Sequence, residues 1–188
     1  MTTTTPHRGV LATALLLTTL ASLLVLAFST PPAHAAQRTW ADPRGDHENA
    51  PGGMDILAVS AKNGERRFAW TVRLAHLERS EGTGAVRVLQ KMANSEGYVF
   101  DATSRWRDGE PRTALFLQYG TLPEQRIRVR CAGLDSTWNT RTDSVRIIVP
   151  TACRSVGVRT WRELVATTLL PGGGVDDVTA RRAPLRNG

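Results

Sequence analysis

Apolar and polar positions alternate in distinct ways along the chain. From Val10 to Phe28 nearly every residue is apolar, broken only by Thr and Ser. Residues 36–53 form a polar lead-in rich in Pro, Gly and Asp. From Ile56 onward, short β-branched or aromatic runs recur between turn residues, a pattern of half-buried strands. The cleanest is 67–74, where Phe68, Trp70, Val72 and Leu74 fall on one side and Arg67, Ala69, Thr71 and Arg73 on the other. Further runs lie at 56–60, 86–91, 98–102, 114–119, 126–132, 145–149 and 159–168. In 126–132, Ile127, Val129 and Cys131 should face inward and Arg126, Arg128 and Arg130 outward. Asn63-Gly64 carries the strongest short hairpin signal. Trp161, Leu164 and Val165 would also suit a helix face, but the Val and Thr content favours a strand. The pattern predicts an all-β fold. It is an antiparallel, jelly-roll-like β-sandwich of about eight strands over residues 54–179, with a basic tail at 180–188.

The N-terminal segment reads as an address. Arg8 precedes the apolar run, and Ala33-His34-Ala35 follows it as an A-x-A cleavage signal. Residues 1–35 are therefore expected to be a secretory signal peptide. The competing reading is a retained anchor, since a bilayer span needs about 20 apolar residues. Either way the rest of the chain is expected outside the membrane, secreted or at the cell surface.

The length of 188 residues allows one domain plus such extras. Two cysteines, Cys131 and Cys153, exclude a disulfide-dense miniprotein and a zinc-finger cysteine set. In an oxidising compartment they predict one disulfide. The net charge is +7, and only Lys62 and Lys91 among the 24 basic residues are lysines. That arginine bias resembles secreted actinobacterial proteins.

Four sets of residues carry candidate chemistry. Asp42, Asp46 and Asp55 near the start, with Asp176 and Asp177 near the end, could together hold Ca²⁺, which takes six to eight oxygens. The alternative is ordinary turn and cap chemistry. Arg126, Arg128 and Arg130 form a stripe suited to phosphate or sulfate groups, with Arg146, Arg67, Arg73 and Arg87 as potential neighbours. The alternative is a solvated sheet face. Trp106 and Trp138 lie in turn-like stretches and could stack on sugar rings, or fold back over a sheet end. His47 and His76 accompany no nucleophile motif, and neither H-E-x-x-H nor a P-loop occurs.

The order of these features resembles small secreted actinobacterial proteins of unknown function. The matching pieces are Asp42-Pro43-Arg44-Gly45-Asp46, Asp55-Ile56, Cys131, the run 145–150 into Cys153, and Asp176-Asp177. The pattern is in turn distantly similar to the DOMON and family-9 carbohydrate-binding sandwiches. The resemblance implies a sandwich that binds a sugar or a cofactor. No axial Met/His pair suggests haem, so that role is not carried over. No cofactor is expected beyond Ca²⁺, and neither nucleic acid nor a membrane is expected as partner after signal cleavage. The leading expectation is a secreted, non-enzymatic sandwich that binds a glycan, cell-wall polymer or other polyanion. The alternatives are an envelope module that contacts another protein, and a small hydrolase using the end-clustered carboxylates.

Overall fold

Strands that bury one side each need a second layer to seal them. The computed structural model describes residues 36–46, 53–92, 97–119, 126–153, 160–170 and 175–186. The expected signal peptide lies outside these residues, as does His47. Among the described residues there are eleven strands and no α-helix. They are β1 (Ala36–Ala41), β2 (Ile56–Asn63), β3 (Arg67–Leu74), β4 (Ala85–Met92), β5 (Tyr98–Arg107), β6 (Glu110–Tyr119), β7 (Arg126–Val129), β8 (Asp135–Asn139), β9 (Ser144–Pro150), β10 (Thr160–Leu169) and β11 (Val175–Arg186). A five-stranded antiparallel sheet runs β1-β2-β3-β9-β8, and a six-stranded one runs β11-β10-β4-β5-β6-β7. Sequence neighbours mostly pair as hairpins, and the chain changes sheet between β3 and β4, β7 and β8, and β9 and β10.

The core lies between the sheets. Ile56, Val59, Phe68, Trp70, Val72, Trp138, Val145, Ile147 and Val149 from the five-stranded sheet are buried. They pack with Val86, Val88, Phe100, Ala102, Leu115, Leu164 and Ala166 of the other. Each buried indole finds a partner across the core. Trp70 Nε1 donates to Gln90 Oε1, and Trp138 Nε1 donates to Ser104 Oγ at 2.8 Å. Ser104 and Thr113 both hydrogen-bond to Ser136 Oγ, at 2.7 and 2.6 Å. Polar groups buried at this depth are tolerated because they are paired.

The all-β antiparallel sandwich expected from the strand pattern is therefore present, with eleven strands where about eight were expected. The extra ones sit at the edges. β1 lies within the lead-in, where its short polar sequence gives little alternation. β11 runs through Arg186, so the expected tail is strand to that point, with Ala180, Arg181, Leu185 and Arg186 paired with β10. The β2–β3 turn falls two positions later than Asn63-Gly64 suggests. Gly64 N–H donates to the Arg67 carbonyl at 3.0 Å, leaving Glu65 and Arg66 at the corner. A longer β5 ends at Asp108-Gly109, whose φ angles of 53° and 80° are the positive values a tight hairpin requires. Gly84 (φ +93°) opens β4 where an added Cβ would lie 2.3 Å from the Leu169 carbonyl oxygen, so no side chain fits.

Cys131 and Cys153 form the expected disulfide. It joins the chain just after β7 to the 3₁₀ turn Thr151–Cys153 just after β9, and so staples one sheet to the other. With the cysteines 22 positions apart, replacing both by serine should cost about 3 kcal/mol by loop-closure entropy. A thermal melt should show the midpoint fall by roughly 10 °C.

Candidate functional site

The outer side of the five-stranded sheet holds a shallow groove of about 460 Å³. Strand register explains its lining. One row across the strands reads Thr39, Ser60, Thr71, Arg146, Thr137, and the next reads Ala41, Ala58, Arg73, Ser144, Asn139. Paired residues share a face, with strands about 4.8 Å apart. Small Ala41 and Ala58 leave a floor, while Thr39, Ser60, Thr71, Thr142 and Ser144 surround it with hydroxyls and Arg73 adds one guanidinium. Thr142 and Ser144 share a hydrogen bond of 2.8 Å. Arg73 is exposed, and no carboxylate among the described residues pairs with it. Hydroxyls can donate or accept, and the guanidinium fork matches carboxylate, sulfate or phosphate oxygens.

The arginine stripe is divided. Arg126 and Arg128 lie on the outer side of the six-stranded sheet, and Arg130 follows the end of β7. Arg73 and Arg146 lie on the other sheet, so they do not extend it. Arg87 does, but through a buried acid. Asp101 is 0% exposed, although it sits on the outer side of β5. Arg87 Nε and Nη2 donate to its two oxygens at 3.0 and 2.8 Å, and Arg126 Nε lies 2.6 Å from Oδ2. The Arg126 guanidinium also covers the Phe116 ring at 3.7 Å. Donating to the Asp101 carboxylate holds the Arg87 pKa above its ordinary value, against the opposing effect of burial. Arg126 is thus committed to Asp101, while Arg128 and Arg130 are exposed. Ile127 points to the core-facing side as expected, but there it is 68% exposed beside Tyr98 and Tyr119, whose rings meet edge-on at 5.1 Å.

Neither tryptophan is on a loop. Trp138 lies on β8 and is 1% exposed, so it offers no stacking plate. Trp106 lies on β5, half-buried, 6.1 Å from the Trp138 ring, with the Arg79 guanidinium 5.3 Å from its centre. Arg79 also donates to the Trp138 carbonyl. Both are packed as core and rim, a correction to their reading as loop side chains.

The carboxylates differ sharply. Asp46 is exposed, Asp42 half-buried and Asp55 2% exposed. Asp55 is therefore not presented to solvent as a hydrolase carboxylate would be. Asp176 and Asp177 lie on β11, paired with Thr168 and Thr167; their side chains are outside the described part. Among the described residues, no three His, Cys, Asp or Glu side chains form a metal-binding group. His76 lies at the surface, 3.6 Å from Glu78 and 3.8 Å from Asp143.

The hydroxyl groove was not anticipated from sequence. Of its residues only Thr71 and Arg73 lie on the outward side of the alternating run 67–74, and only pairing across four strands makes Thr39, Ser60, Thr71 and Ser144 neighbours. Among the described residues, no helix is long and apolar enough to cross a membrane. Compared with known proteins, the chain matches no family model, no curated protein and no solved structure.

Proposed function

We propose that this protein is an exported, non-enzymatic β-sandwich that binds an acidic glycan or cell-wall polymer in the groove of the five-stranded sheet. The observation that carries this reading is the ring of hydroxyls around Arg73. A polyhydroxylated chain can exchange hydrogen bonds with the hydroxyls while its carboxylate or phosphate meets the guanidinium. The signal-like N-terminus and the disulfide support export. Recognition here works without ring stacking, since the groove residues named above are aliphatic, hydroxylic or basic.

Binding of the purified protein to acidic and neutral wall polymers tests this. Arg73→Ala should weaken binding to the acidic polymer by about tenfold or more, the worth of a charge-assisted hydrogen bond. Its melting midpoint should stay unchanged. Binding should also fall with added salt, because exposed charges are screened over about 8 Å at physiological ionic strength. Equal binding by Arg73→Ala would exclude the groove, and no binding to any polymer would remove the glycan reading.

A second reading is an envelope module that docks another protein. Exposed Ile127, Tyr98 and Tyr119, on the same side of the six-stranded sheet, favour it. Crosslinking to a protein that is lost in Ile127→Glu, with polymer binding absent, would select it.

A further inference from the structure

The loop after β1 folds back onto the start of β2. Asp42 N–H donates to the Leu57 carbonyl at 3.0 Å and extends the β1–β2 pairing by one step. The chain then turns through Pro43, Arg44 and Gly45, where φ is +82°. Gly45 N–H donates to Asp55 Oδ2 at 3.0 Å. The Asp55 carboxylate, 98% buried by its 2% exposure, is therefore aimed into this loop. Its other oxygen, Oδ1, is also buried and accepts no hydrogen bond. No basic side chain among the described residues pairs with Asp55. Asp42 opens the same loop, its main chain held to Leu57 two positions after Asp55, and it is half-buried.

A buried carboxylate oxygen without a donor is costly, and native structures rarely leave one unexplained. A cation supplies what the described donors do not give Asp55 Oδ1. We propose that Asp42 and Asp55 hold a divalent cation of the calcium type, with the remaining positions filled by main-chain carbonyls and water. Calcium accepts an irregular set of six to eight oxygens, whereas magnesium demands a near-ideal octahedron. Two carboxylates and a loop open to solvent at exposed Asp46 suit a weak site, in the range of about 10⁻⁴–10⁻³ M typical of extracellular modules. The ion would clip the lead-in loop to β2. This site is separate from the Arg73 groove, so either can fail without the other.

Protein expressed from the full-length sequence is stripped with EDTA and titrated with Ca²⁺ by equilibrium dialysis and by thermal melts. Mg²⁺ and extra NaCl serve as controls. One saturable Ca²⁺ site is expected, with the midpoint raised by roughly 3–8 °C at about 10 mM. Asp42→Asn and Asp55→Asn should each bind more than about tenfold more weakly, while Asp108→Asn at the β5–β6 turn should bind normally. Removing the charge also relieves the buried carboxylate. Asp55→Asn should therefore melt at or above the wild type in EDTA and below it in Ca²⁺. No saturable binding by the wild type overturns the proposal, as does undiminished binding by both variants. If Asp55→Asn does not fold, Asp42→Asn and the wild-type stoichiometry decide.

Discussion

Replacing Asp101 with asparagine is expected to lower the stability by about 3 kcal/mol, measured as a lower urea midpoint at unchanged slope. The substitution keeps shape and removes charge. It leaves Arg87 and Arg126 facing each other without the carboxylate that both contact. Breaking a buried pair typically costs about 3–5 kcal/mol. The lower end applies because the two arginine side chains keep 27% and 30% exposure and can regain water. The raised Arg87 pKa fixes the sign with pH. A base whose folded pKa is raised contributes fully below its unfolded value and loses that contribution as pH rises through the folded one. For an arginine that window is strongly alkaline, so the Arg87 contribution should be constant across neutral pH.

The second large effect is expected at Trp138. Trp138→Ala should cost about 4–5 kcal/mol, near the top of the range for a buried aromatic. It empties a site beneath Trp106 and removes the indole donor to Ser104. Trp138→Phe separates the two contributions. It retains most of the ring and loses the hydrogen bond, for a cost of about 1–2 kcal/mol. A ratio near one between the two variants would show that packing against Trp106 contributes little. Denaturant melts of both variants measure the difference.

Much of the fold is legible in the sequence where burial is one-sided. Phe68, Trp70, Val72 and Leu74 alternate because the core lies on one side of β3, and all four are buried. The disulfide is legible because two cysteines have one pairing. The misread positions are those where distant residues decide. Trp106 and Trp138 sit among Ser, Thr, Asn and Asp, which look like loop punctuation. Two of those hydroxyls, Ser104 and Ser136, are buried and bonded to each other, with half-buried Thr113 bonded to Ser136 as well. The outward arginines of β7 point where alternation predicts, but Asp101 lies 25 positions before Arg126 and turns a solvated face into a buried ion pair. Edge strands β1 and β11 were hardest to see, since an edge can be polar on both sides. The groove depends wholly on register, and Thr39, Ser60, Thr71 and Ser144 come from four separate strands.

The alternating arginines of β7 also bear on self-assembly. Among the described residues β7 is the last strand of its sheet, and no described strand lies on the other side of its backbone. A second molecule could in principle add there in antiparallel fashion. Centred on Arg128, that pairing would set Arg128 against its own copy and Arg126 against Arg130. Like charges directly opposite destabilise a ladder, and charged edges are a general brake on sheet growth. Arg126 is held by Asp101, so exposed Arg128 against its own copy would carry this repulsion and oppose growth of the sheet at the β7 edge.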